Sequence, residues 1–99
     1  MQVIDPGHIY LVANFEEDHQ LIQFIKKQKN DEGVFETVHD GTTNEELIEV
    51  LIDRLTHLNG IMAHDANIKA ISHLGSALGY LQSRTDDRVR RGVEGTPLP

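Results

Sequence analysis

The sequence predicts an α+β protein, with a small N-terminal antiparallel β-meander followed by a C-terminal antiparallel hairpin of two helices. Three observations carry this prediction. Residues 8–15, "HIYLVANF", alternate with a period of two, as a strand does. Beyond residue 43 the apolar residues recur instead every three to four positions, the period of a helix packed on one side. Only a short connection, "NGIMAHDAN", separates the two helical runs, which favours antiparallel neighbours.

Each element has its own signal. Asp5-Pro6-Gly7 is a turn signal ahead of the first strand. In that strand Ile9, Leu11, Ala13 and Phe15 share one side, and Tyr10, Val12 and Asn14 the other. The polar "EEDH" connects to "QLIQFIKKQK", read as a strand ending near Lys27 before the turn "NDEG". "VFETV" is a third short strand-like run. Thr43 with Glu46 three residues later is a capping box. Behind it Leu47, Leu51, Leu55 and Leu58, with Ile48 and Ile52, mark the first helix, and Asn59-Gly60 is its expected end. Asp65 or Asn67 starts the second helix, whose expected buried stripe is Ile68, Ile71, Leu74, Leu78 and Leu81. Gly92 supplies its stop, and Pro97 and Pro99 forbid continuation. The expected organisation is a single domain over residues 1–99, with a β part to residue 40 and the helical hairpin from 41 to 99.

Composition excludes several function classes. A net charge of -7 disfavours binding to nucleic acid, because a polyanion is repelled by an acidic surface. The absence of cysteine removes disulfides and thiolate metal sites and fits a reducing cytoplasm. No apolar run reaches the length of a membrane span, and the N-terminus lacks the pattern of a signal peptide. A chain of 99 residues buries a modest fraction of its surface, so oligomerisation would help it. The six histidines fall in no metal-binding spacing, and no metal site is expected. No nucleophile motif, reactive cysteine or P-loop is present, so neither an enzyme nor a cofactor is expected.

What stands out is arginine. Four of the five arginines lie within residues 84–91 of this acidic protein. Arg84, Arg88 and Arg91 follow i, i+4, i+7 and share one helix face beside the apolar stripe. Guanidinium groups match phosphate oxygens two at a time, so the face reads as a phosphate clamp. The competing reading is that these cations complement the helix dipole at its C-terminus. Asp87 is spaced to pair with Arg91 or Arg84, and Asp86 with Arg90. Arg54 lies between Leu47, Leu51 and Leu58, so it either lines a polar pocket or snorkels to water. Asn67, near the buried face, either reads an adenine edge or serves the helix start. Residues 39–46, "HDGTTNEE", could hold phosphate at a helix N-terminus, but Glu45 and Glu46 occupy that end and favour capping alone.

In order along the chain, "MQVIDPGHIYLVANF", "IQFIKKQ", "DGTTNEELIEVLIDRLTHLN" and "LGYLQSRTDDRVRRGVEGT" resemble the phage anti-Thoeris proteins called Thoeris anti-defence one. The resemblance covers nearly the whole chain, and the helical hairpin is similar to that of the phage anti-CBASS sponges. It implies a sponge that binds cyclic nucleotide immune signals without degrading them, acting in the host bacterial cytoplasm. The implied ligands are the cyclised ADP-ribose isomers of Thoeris, with CBASS cyclic di- and trinucleotides as a second class. The implied assembly is a homodimer with ligand at its interface, and in some members a hexamer built as a trimer of dimers. The resemblance assigns phosphate contacts to Arg54, Arg84 and Arg88 and an adenine contact to Asn67. It also carries Arg91 and Thr96 of the terminal "RRGVEGT" into the ligand-binding set. The inter-helix segment departs from the family in being short and without an aromatic, which leaves base packing to Tyr80, Met62 or a residue of a second copy. A ligand-free module that docks a host protein through its helical hairpin is the alternative.

Overall fold

The computed structural model describes residues 1–13 and 19–92. It comprises two compact units, Met1–Thr43 and Asn44–Pro99, which correspond to the expected β part and helical part.

Among the described residues the first unit holds five strands, two more than the three runs expected from alternation. Strands β1 (Gln2–Asp5), β2 (Ile9–Ala13) and β3 (His19–Gln23) form an antiparallel sheet in the order β1-β2-β3. Strands β4 (Lys26–Lys29) and β5 (Phe35–His39) form a separate antiparallel pair. The first strand therefore precedes the Asp5-Pro6-Gly7 turn. That turn closes with the His8 N–H donating to the Asp5 carbonyl at 2.9 Å, and Gly7 takes φ 79°. Proline followed by a glycine of positive φ is the pattern of a type II turn. The "NDEG" turn also forms as read, with Asn30 Oδ1 accepting from the N–H groups of Glu32 and Val34 and with Gly33 at φ 77°.

The run "QLIQFIKKQK" is not one strand but two. β3 follows β2 in the register Tyr10↔Ile22 and Leu11↔Leu21. The chain then leaves that sheet, and Phe24 makes a parallel bridge to Thr42. The Thr42 N–H donates to the Gln23 carbonyl at 2.8 Å, and the Ile25 N–H donates to the Thr42 carbonyl at 3.1 Å. Gly41 makes this approach geometrically allowed. A Cβ there would collide with the Gln23 carbonyl oxygen and lie 2.5 Å from the Phe24 carbonyl carbon.

Side-chain contacts add to the unit. Tyr10 and Phe24 meet edge to face with centroids 6.0 Å apart. The Lys26 ammonium donates to Asp5 Oδ2 at 2.9 Å, tying β1 to β4. His8 Nδ1 and His39 Nε2 lie 3.7 Å and 4.0 Å from the same carboxylate oxygen. The hydrogen bond from Lys26 holds the Asp5 carboxyl below its ordinary value. Partial burial opposes this, and the Lys26 charge and the two histidines add to it. A carboxyl depressed in the folded state stabilises the fold above its unfolded pKa, and that contribution is lost as pH falls through the folded value. Wild type is therefore expected to lose thermal stability between pH 5 and pH 2 more steeply than Asp5→Asn. The two should converge at the acid end, and parallel curves from calorimetry would exclude this role for the Asp5–Lys26 pair.

The second unit is the hairpin of α1 (Asn44–Ile61) and α2 (Asp65–Arg91). Helix α1 runs through Asn59-Gly60, contrary to the expectation that it ends there. Gly60 does not take the left-handed conformation that stops a helix, so it continues at the modest cost of an interior glycine. The end comes after Ile61, where Asn59 Oδ1 accepts from the His64 N–H at 2.9 Å. His64 is the N-cap of α2, in extended conformation, with its ring nitrogen accepting from the Ala66 N–H at 3.0 Å. Gly92 ends α2 as expected, at φ 71° with its N–H directed to the carbonyls of Arg88 and Val89.

The seam between the helices differs from the expected stripes. On α1 the half-buried positions include Glu45, Ile48, Ile52, Leu55 and Asn59, spaced three and four apart. On α2 they include Asn67, Ile71, Leu74, Leu78, Leu81, Thr85 and Arg88, again in alternating steps of four and three. Asn67, not Ile68, occupies the seam, and Ile68 is exposed. Polar contacts close both ends. Thr85 Oγ1 donates to Glu45 Oε1 at 3.1 Å, and Asn67 Nδ2 donates to Asn59 Oδ1 at 3.4 Å. These two pairs fix the helices as antiparallel.

Candidate functional site

The predicted residues divide along the hairpin. At its open end Tyr80, Arg84 and Arg88 follow i, i+4, i+8 on α2, with Arg91 three positions further. Arg88 is half-buried at the end of the seam, and Arg84 is exposed beside it. Tyr80 is 79% exposed. Thr96 lies outside the described residues.

Asp87 organises the end of this cluster. Its Oδ2 accepts from Arg91 Nε at 3.0 Å and its Oδ1 from Arg90 Nη2 at 3.5 Å. The Asp87–Arg91 pair is the expected one. Arg90, however, turns to Asp87 and not to Asp86. Among the described residues Arg84 makes no ion pair. A guanidinium with no internal carboxylate keeps its fork of donors for an external anion.

Arg54 does not sit inside the buried stripe, as its sequence neighbours suggested. It is exposed on α1, on a ridge with Leu51 and Leu58, which are 41% and 37% exposed. The reason is coverage. Apolar residues occupy more of α1 than one partner helix can cover, and α2 covers the side of Ile48, Ile52 and Leu55. Arg54 lines a shallow open hollow with Glu46, Glu49, Val50, Asp53 and His57, a predominantly acidic surround.

Asn67 is at the opposite end, held in the turn. Its backbone N–H donates to the His64 carbonyl at 3.0 Å and its side chain donates to Asn59. Asn59 and His64 were not among the predicted residues. Asn59 sits in a sequence that resembles a helix stop, and histidine is not a preferred N-cap.

One chain does not bring this set together. At 1.5 Å per residue, Asn67 and Arg84 are about 25 Å apart along α2. Arg54 is about 13 Å along α1 from the level of Glu45 and Thr85. Among the described members of the set, only Tyr80, Arg84, Arg88 and Arg91 are near neighbours within one hairpin.

No protein-family model matches the chain. Over 58 residues the chain is 43% identical to Thoeris anti-defense 1 of Bacillus phage SBSphiJ7. The similarity supports a Thoeris anti-defence relationship. The matched region covers 58% of this chain and 41% of the phage protein, so the chain spans less than half of that relative's length. No helix among the described residues is long and apolar enough to cross a membrane. Nor do any three histidine, aspartate or glutamate side chains among them come together as a metal set.

Proposed function

We propose that this chain counters bacterial defence by sequestering a cyclised nucleotide signal, without chemical change, in the host cytoplasm. The observation that carries the reading is the similarity to a Thoeris anti-defence protein. The first ligand class is a cyclised ADP-ribose isomer, with cyclic di- or trinucleotides as the second. A diphosphate suits the fork of Arg84 and Arg88, and Tyr80 one turn earlier offers a surface for a base.

The site is completed by a second copy. Arg84 and Asn67 are too far apart in one hairpin to share a small nucleotide. Two hairpins packed antiparallel would bring the open end of one to the turn end of the other. The exposure supports association, because no described residue is fully buried and Val50, Leu51, Leu58 and Ile61 of α1 are all exposed. A homodimer is the minimal assembly, and a trimer of dimers is the larger form.

The test is depletion and recovery. The protein is incubated with cyclised ADP-ribose isomers and cyclic di- and trinucleotides, removed by filtration, and heated. Mass spectrometry then identifies what is released. Depletion of one compound and its intact release is the expected result. Altered products would make the protein an enzyme. No depletion of any compound would favour docking of a host protein through the apolar ridge of α1.

A further inference from the structure

The turn between the helices contains a chain of hydrogen bonds whose polarity is fixed at one end. The His64 backbone N–H can only donate, so the Asn59 atom 2.9 Å from it must be the amide oxygen. That same oxygen faces the Asn67 side chain at 3.4 Å. An oxygen facing an oxygen would be repelled, so Asn67 must turn its nitrogen inward. One backbone N–H thereby decides, through Asn59, which way round the Asn67 amide stands. The usual ambiguity of an asparagine amide is removed by the network itself. The backbone of Asn67 is tied to the same turn through the His64 carbonyl.

The Asn67 amide keeps one N–H and its carbonyl oxygen for an external partner. A donor beside an acceptor complements the edge of a 6-aminopurine, which offers an amino N–H beside a ring nitrogen. A 6-oxopurine has an acceptor oxygen where the amino group stood, beside an acceptor N7 on one edge and a donor N1–H on the other, so on either edge its oxygen would oppose the Asn67 oxygen. An amide free to turn could exchange its oxygen and nitrogen and so offer a donor to the 6-oxo oxygen. Held by Asn59, it cannot.

We propose that Asn59 is a positioning residue that locks the Asn67 amide and so makes the site select 6-aminopurine over 6-oxopurine nucleotides. This rests on the sequestration reading above and adds the residue that sets base selectivity. The test compares affinities for a cyclised ADP-ribose with an unmodified adenine and for its hypoxanthine counterpart, by calorimetry. Wild type is expected to prefer adenine by at least about fivefold, the lower end of discrimination for a bidentate amide contact. Asn59→Leu keeps the volume but removes the acceptor, and should bring the two affinities within about threefold. Asn59→Asp keeps the acceptor and should keep the preference.

An equal loss for both probes in Asn59→Leu, or an unchanged ratio, would assign Asn59 to the fold alone and overturn the inference. Wild-type binding without preference would also overturn it, leaving sequestration intact. Binding of neither probe by wild type would overturn this inference and the cyclised ADP-ribose reading together, and the depletion assay with cyclic di- and trinucleotides would then decide sequestration. One further measurement does not depend on a variant folding. In the free wild-type protein, one Asn67 side-chain N–H should exchange with solvent more slowly than the other by NMR. Two equally fast protons would overturn the lock.

Discussion

Replacing Arg84 and Arg88 together by alanine is expected to weaken binding of the sequestered nucleotide by at least about 100-fold. Hydrogen bonds to charged groups contribute roughly 1.5–3 kcal/mol each, and two lost guanidinium contacts exceed about 3 kcal/mol at the low end. Calorimetry with the compound identified by depletion measures this directly. Arg88 is half-buried at the end of the seam, so its removal also costs packing, whereas Arg84 is exposed. The single Arg84→Ala variant therefore isolates binding from folding. A double variant that binds within threefold of wild type would refute the phosphate clamp. If anti-defence activity then survived in cells but was lost on substitution of Leu51 or Leu58, the protein would be a docking module.

Gly41→Val is expected to lower the melting temperature by more than about 10 °C. Overpacking costs typically 1–3 kcal/mol, and about 1 kcal/mol moves the midpoint of a 60–100-residue domain by 4–8 °C. The obstruction is backbone, the carbonyl of Gln23 and the carbonyl carbon of Phe24, and not a side chain that could swing away. Relief requires residues 41–42 to separate from 23–25. That separation breaks the Thr42-to-Gln23 and Ile25-to-Thr42 hydrogen bonds, whose loss adds roughly 1 kcal/mol each. Thermal melting followed by circular dichroism would read the shift. A loss below about 3 °C would mean that the close approach at Gly41 contributes little to the fold.

Much of the architecture was legible because it rests on local geometry. Asp5-Pro6-Gly7 and "NDEG" are turns on their own account, since proline presets φ and glycine accepts positive φ. Gly92 ends α2 for the same reason. The arginine face was legible because i, i+4, i+7 spacing puts side chains together on any helix. The Asp87–Arg91 pair follows from that spacing too.

Less was legible where two faces or two strands had to be told apart. The leucines at 47, 51, 55 and 58 and the isoleucines at 48 and 52 both have helical period. Periodicity cannot say which side a single partner covers. Arg54 therefore reads from the sequence as part of the apolar stripe, lining a pocket or snorkelling to water, and is found exposed on an open ridge. The segment "QLIQFIKKQK" carries no breaker, and its division at Phe24 and Ile25 comes from pairing with Thr42, eighteen residues away in sequence. Asn59-Gly60 carries the composition of a helix end, but a backbone N–H beyond it recruits the asparagine and the helix runs on.

The chain's residue order determined the change from strand to helix, the turns, the helix stop at Gly92 and the clustering of arginines, because each depends on neighbours within one or two turns. Tertiary structure decided which face of α1 is covered and where the β segment divides. Those outcomes depend on contacts between distant positions, whose free energy enters only when the chain has brought them together.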